Sequence, residues 1–245
     1  MKYTFALFLL LIFGQATAHE NITYFIADKS TAPFQISDSK TNKKGIITDI
    51  INAISDDEIS FKHEILPFKR MIKNMEETDK NWISYGSKAW SEPQSTSLSN
   101  TVILTVKHSF LTLKNTNYHQ LSDLFGQRLV LIRGFDYPGL DNFIQQNKFE
   151  IMYVKDHEAA LKAVLYERAI AFPDMNIRLN YHINQLKLSP SSFSLHSINS
   201  LVPDYDINLC YSKNFPIKIR DRIEKSMIQM KENNELNTIV SAYAY

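Results

Sequence analysis

Cysteine and glycine are scarce in this chain of 245 residues, which carries a single Cys and six Gly. One cysteine forbids an internal disulfide, so stapled small-domain architectures are excluded. So few glycines exclude a collagen-like chain and a flexible low-complexity chain. An excess of one charge is missing too: 27 Lys and Arg stand against 26 Asp and Glu, a formal net charge of +1. With no basic stripe, a phosphate backbone meets no electrostatic footprint, and nucleic acid is excluded as a partner. The most apolar run, residues 5–13, is far shorter than the roughly 20 residues of a bilayer span, so no membrane insertion is expected. G-x-G-x-x-G, the P-loop, G-x-S-x-G and H-E-x-x-H are all absent, and the histidines at 63, 108, 119, 157, 182 and 196 show no ligand spacing. No cofactor, no metal and no catalytic residue are therefore expected.

What is present is ordinary for a globular protein, with 44% hydrophobic and 22% charged residues, and the length suits one large domain or two smaller ones. The start combines Lys2, the apolar run and the small-residue pattern Ala16-Thr17-Ala18, which is the pattern of a secretory signal cleaved before His19. Removing residues 1–18 takes away Lys2 and no acid, so the balance becomes 26 against 26. Cys210 lies far from the cleavage point and cannot be the lipid-bearing first residue of a lipoprotein. Flanked by Leu209 and Tyr211, it reads as a small buried hydrophobe.

Beyond residue 19 the pattern alternates. Strands are predicted at 22–27, 60–66 and 82–85, with helices at 46–54 and from Pro67, where Phe68, Met71, Ile72 and Met75 follow i, i+3, i+4, i+7. Residues 91–100 are rich in Ser and carry Pro93, a loop signature. An apolar run at 102–113 reads as a long or broken strand. Strands at 129–133, 150–154 and 169–172 then alternate with helices at 138–146 and from Asp156, and an extended run at 206–212 leads into two terminal helices. Such alternation predicts parallel sheets with right-handed crossovers. The fold class is therefore α/β. One irregular crossing and one late return suggest two lobes joined by two strands: residues 19–103 and 211–245 in the first, 104–210 in the second.

In open α/β sheets a ligand sits beyond the carboxyl ends of the strands. The rule selects Phe34 after the first strand, Arg70 after the second, and Tyr85, Ser87 and Trp90 after the third. In the second lobe it selects Arg133, Asp136 and Tyr137 in a loop with Gly134 and Gly139, and Asp174 further on. Aromatics, arginines, small hydroxyls and carboxylates in one place are the mixture that holds a small polar molecule. Each also has a plain reading: Phe34 and Trp90 as core, Arg70 and Arg133 as solvated charges, Asp174 as a helix cap.

At these residues the sequence resembles the extracellular solute-binding proteins of family 3, the periplasmic amino-acid-binding type. Ala32-Pro33-Phe34 with Gly45 and Asp49 is similar to that family's opening segment, Leu66-Pro67-Phe68-Lys69-Arg70 to a "P-W-x-R" element of one subgroup, and Gly134 to Tyr137 to its "G-Y-S-Y" loop. Phe172-Pro173-Asp174 stands where amino-acid binders carry the acid that takes the ligand's ammonium. The resemblance implies a two-lobed, type II Venus-flytrap fold with two crossing strands at the hinge, acting as a monomer in the periplasm without a lipid anchor. It implies capture of a small-molecule ligand, an amino acid or a related organic acid or amine, for an ABC permease. A membrane sensor is the alternative partner, and a dehydratase on the same fold the enzymatic alternative, with Asp136 and Asp174 as its general acids. The family's carboxylate-clamping arginine, in a "T-x-E-R" segment, has no counterpart in residues 88–94. That role falls to Arg70 or Arg133, or the ligand is not an α-amino acid. Sequencing the amino terminus of the exported protein should place it within a residue or two of His19; an unprocessed or membrane-retained product would contradict the signal reading.

Overall fold

The computed structural model describes residues 21–28, 31–37, 43–56 and 59–244. The signal-sequence expectation lies outside them. Among the described residues ten strands form two five-stranded sheets. The first contains β1 (Asn21–Asp28), β2 (Ser60–Pro67), β3 (Trp82–Gly86), β4 (Leu98–Val106) and β10 (Tyr205–Tyr211), in the order β2-β1-β3-β10-β4. The second contains β5 (His108–Leu113), β6 (Arg128–Ile132), β7 (Glu150–Val154), β8 (Ala171–Met175) and β9 (Phe193–Ser197), in the order β7-β6-β8-β5-β9.

Neither sheet is wholly parallel, contrary to the expectation from alternation. The βαβ portions pair in parallel, β1 with β2 and β3, and β6 with β7 and β8. The strand that arrives from the other lobe runs opposite: β10 is antiparallel to β3 and β4, and β5 to β8. Parallel neighbours need a crossover within their own lobe, and a chain entering from the partner lobe has none. The same pairing puts residues 104–106 and 205–210 in the first sheet, so the crossings lie at Lys107 and in 198–204 rather than at 103 and 210.

The helices follow the apolar spacing that predicts them. In α1 (Ile46–Ile54) five isoleucines are buried against the first sheet, each worth roughly 1.5–3 kcal/mol relative to exposure. After α2 (Phe68–Glu77), the expected helix at 138–146 shrinks to α3 (Asp141–Gln145), because a turn with Gly139 at φ 83° precedes it. In α4 (His157–Leu165) Asp156 is the N-cap and accepts from Ala159 N. Pro67 ends β2 and caps α2 instead of opening it. The predicted strand at 169–172 shifts to β8.

Two elements escaped the pattern, the edge strand β9 and α5 (Asn176–Gln185). Leu179 and Ile183 of α5 join the core of the second lobe, whereas Tyr181 joins that of the first and Ile177 packs against it. A helix serving two cores shows no single apolar stripe, and Asn176, Asn180 and Asn184 are weak helix formers. After α6 (Ile217–Glu232), α7 (Glu235–Ala244) closes the chain. Tyr243 donates to Asp49 Oδ2 and accepts from Gly45 N, tying α7 to the start of α1.

Gly86 sits where β3 meets the 87–94 loop, and a Cβ there would lie 1.9 Å from Gln94 O. That contact is with backbone, so Gly86→Ala should lower stability by about 3 kcal/mol or more. Gly134, at φ 84° but with nothing near its Cβ position, should lose only about 1 kcal/mol on the same change. Urea unfolding of the two variants checks the ordering.

Candidate functional site

Phe34 is held by backbone on both sides. Its N–H bonds Thr31 O, and its carbonyl, with that of Pro33, accepts from the first N–H groups of α1, Ile47 and Ile46, all at 2.9 Å. The helix start approaches so closely that a Cβ on Gly45 would lie 2.6 Å from Phe34 O, and Gly45 has φ 102°. Gln35 locks the turn from below, accepting from Ala27 N and donating to Tyr24 Oη and Phe25 O. The Phe34 ring therefore projects from a rigid corner at the carboxyl end of β1.

Tyr85, at the end of β3, stacks on Phe34 with centroids 5.4 Å apart and planes 13° apart. Trp90 meets Tyr85 edge-on at 5.5 Å, and Tyr205 at the start of β10 meets Trp90 at 6.2 Å. Ser87, fully buried, is a turn residue: its hydroxyl accepts from Ala89 N and its carbonyl from Trp90 N, which sets the Trp90 ring. A cavity of ≈ 630 Å³ opens beside these residues, with Ser87 and Tyr205 on its wall.

From the second lobe come Phe135, His157, Asp174 and Arg178. Asp174 is next to last in β8, with only 7% of its surface exposed. Its Oδ1 accepts from Met175 N at 2.7 Å and its Oδ2 pairs with His157 Nε2 at 2.9 Å. Arg178, one helical turn on, brings Nη1 within 3.7 Å of Oδ1. Burial alone would raise the Asp174 carboxyl, but the bond and charge of His157, the Arg178 guanidinium and Met175 N–H outweigh it and hold the carboxyl below the usual range. Asp174 is therefore ionised in a dry setting. The Arg178 guanidinium lies 5.6 Å from the Phe34 ring of one lobe and 5.4 Å from the Phe135 ring of the other, and its charge acts on the Tyr85 hydroxyl. Burial pushes the Tyr85 hydroxyl up to about 12, so it stays protonated. One side chain thus joins the strand ends of both sheets.

Of the residues selected from the sequence, Phe34, Tyr85, Trp90 and Asp174 share this cluster, with Ser87 supporting it. Tyr137 stands behind, its hydroxyl accepting from Ile132 N at 2.7 Å. Arg70, Arg133 and Asp136 are exposed, their side chains make no hydrogen bond or ion pair among the described residues, and they are not drawn in. Their sequence pattern placed them at strand ends, but among the described residues no opposite charge lies within ion-pair distance of their side chains. Four members were missed. Phe135 stands in the selected loop itself, between Arg133 and Asp136. His157 follows β7, where the strand-end rule itself points. Arg178 is i+4 from Asp174, a helical ion-pair spacing legible once α5 is recognised. Tyr205 begins the returning strand. Among the described residues no group of three or more His, Cys, Asp or Glu could hold a metal ion, and no helix is long and apolar enough to cross a membrane.

No protein-family model and no curated protein matches the sequence. Solved structures do match the fold. An ancestral cationic amino acid solute binding protein, AncCDT-1, is 12% identical with TM-score 0.70, over 94% of this chain and 97% of that one. Substrate binding domain 2 of GlnP from Lactococcus lactis, in its open conformation, is 16% identical with TM-score 0.62, over 92% and 95%. The periplasmic VFT2 domain of BvgS from Bordetella pertussis is 15% identical with TM-score 0.64, over 92% and 94%. The chain thus has the two-lobed Venus-flytrap fold of periplasmic binding proteins.

His182 stacks on His157 at 4.0 Å. Burial, then the neighbouring His157, pushes it from 6.5 down to about 3. The native state keeps it neutral where the unfolded chain takes up a proton. Its contribution is complete above about pH 6.5 and is lost as pH falls from there towards 3, at up to about 1.4 kcal/mol per unit. Between pH 7 and pH 5 the wild type should lose about 2 kcal/mol more stability than His182→Phe, which keeps a ring on His157. Urea midpoints at the two pH values measure the difference.

Proposed function

We propose that the protein is an exported solute-binding protein that captures a small polar metabolite, an amino acid or a related organic acid or amine, between two closing lobes. In this reading residues 1–18 are removed on export, lobe one comprises residues up to 106 and from 205 onward, and lobe two lies between. The observation that carries it is the cluster at facing strand ends: Phe34, Tyr85 and Trp90 from one sheet against Phe135, Asp174 and Arg178 from the other. Contacts that exist only when the lobes meet shift an open–closed equilibrium toward closed when a solute adds to them. The closed monomer is then the form that an ABC permease recognises in the periplasm.

A sensory partner is the second reading; it draws on likeness in fold to the periplasmic VFT2 domain of BvgS and to the GluR0 ligand-binding core. The dehydratase alternative draws on one neighbour, described as a precursor of cyclohexadienyl dehydratase. General-acid work needs a carboxyl of raised pKa beside the ligand. Asp174 is held low instead, and Asp136 is exposed. Binding without turnover is the reading these two carboxylates support.

Trp90 lies in the cluster, whereas Trp82 is buried in the first lobe. A bound solute should therefore change tryptophan emission, and Trp90→Phe should remove most of that change. A fluorescence and thermal-shift screen of amino acids, organic acids and polyamines tests the reading. A solute at 100 times its dissociation constant stabilises by about 2.7 kcal/mol. No stabilisation by any compound would contradict it.

A further inference from the structure

The Asp174–Arg178 centre has more donors than acceptors. Asp174 uses both carboxylate oxygens inside the protein, Oδ1 on Met175 N at 2.7 Å and Oδ2 on His157 Nε2 at 2.9 Å. Arg178 carries five N–H donors. Its Nη1 stands 3.7 Å from Asp174 Oδ1, longer than a hydrogen bond, and its Nε is buried with no partner. Among the described residues, the buried side-chain atoms without a hydrogen-bond partner are Arg178 Nε, His182 Nε2, His108 Nδ1 and Asn176 Oδ1. Arg178 and Asn176 lie in the first turn of α5, and both histidines feel the charges of Asp174 and Arg178. Folded proteins satisfy nearly all such atoms, so four of them around one ion pair mark a site whose bonding is incomplete.

We propose that Arg178 is the anion-holding group of the cleft, and that the solute presents a carboxylate to it. The proposal rests on the solute-binding reading and names its ligand class. Phe34 and Phe135 cover the guanidinium at 5.6 and 5.4 Å, which leaves its N–H edge for hydrogen bonds in the fork geometry suited to a carboxylate. Two of its partners, Asp174 and Phe135, belong to its own lobe, so the guanidinium stays in place when the lobes part. Phe34 and Tyr85 belong to the other lobe, so closure adds them. A carboxylate can reach Arg178 in the open form and then be enclosed. Asp174, buried and already facing His157 and the Arg178 charge, offers little to a ligand's ammonium. The cleft therefore favours a small mono- or dicarboxylate over a diamine, and Arg178 replaces Arg70 and Arg133 as the anion receptor.

The test titrates mature protein, Arg178→Met, Arg178→Lys, Arg70→Ala and Arg133→Ala with succinate, L-glutamate, L-alanine and putrescine by calorimetry. Methionine keeps an unbranched apolar side chain between the rings and removes the charge. At least one carboxylate should bind the wild type, about ten- to a hundredfold more weakly to Arg178→Met, and within about twofold of wild type to the Arg70 and Arg133 variants. Should the methionine variant not fold, the lysine variant carries the test: losing the fork, it should bind the carboxylate several-fold more weakly. Equal affinity in the folded Arg178 variant would make Arg178 a clamp between lobes and overturn the proposal, as would putrescine binding alone. If none of the four compounds binds the wild type, the carboxylate proposal falls, and the solute-binding reading is decided separately by the wider screen.

Discussion

A carboxylate kept ionised away from water is the constraint around which the two lobes are arranged. Asp174 is 7% exposed, and a charge in that position is tolerated only with partners on every side. Three are supplied by its own lobe: the Met175 N–H, the His157 ring and the Arg178 guanidinium. Each pulls another element into register. His157 is presented by α4, whose start is set by the Asp156 cap, and Arg178 is presented by α5. Removing one partner of such a buried pair typically costs about 3–5 kcal/mol, so the strand end of β8, the start of α4 and the first turn of α5 hold one another in place.

The guanidinium extends this arrangement across the cleft. Its ring contacts are with Phe34 on one side and Phe135 on the other, and both rings are fixed by backbone before the cation arrives. Phe34 sits in a turn that feeds its carbonyl into α1, and Phe135 follows a glycine at φ 84°. Behind Phe34, α7 is tied to the same helix start through Tyr243, and Tyr243 also meets Tyr181 of α5 at 6.4 Å. The lobes thus share an ionic and aromatic contact within the cleft and an apolar helix contact beside it. Opening the cleft must break the first while the second slides or parts.

Cys210 illustrates the opposite case, a reactive group made inert. It lies between Leu209 and Tyr211 in a central strand, its Sγ toward Pro93 O, and burial pushes its thiol up to about 12. It serves as packing between the first sheet and α2, in line with the plain reading of its neighbours in the chain.

The sequence by itself determined the αβ alternation, the bounds of α1 and β3 to within a residue, and the aromatic corner at Phe34, Tyr85 and Trp90. These depend on local spacing: a run of isoleucines at helical intervals, a strand closed by Gly86, a loop declared by Pro93. It also placed Asp174 at a strand end. Tertiary structure alone decided the antiparallel entry of β5 and β10, because strand direction follows from where the chain arrives and not from composition. It decided α5 as well, whose residues face two cores and so show no single stripe. With α5 unassigned, the i+4 relation of Arg178 to Asp174 had no helix to act through, and Arg70 and Arg133 stood as the only arginines in view. Charge pairing is a matter of distance across the fold, and two exposed arginines at strand ends look the same in sequence as one buried between two rings.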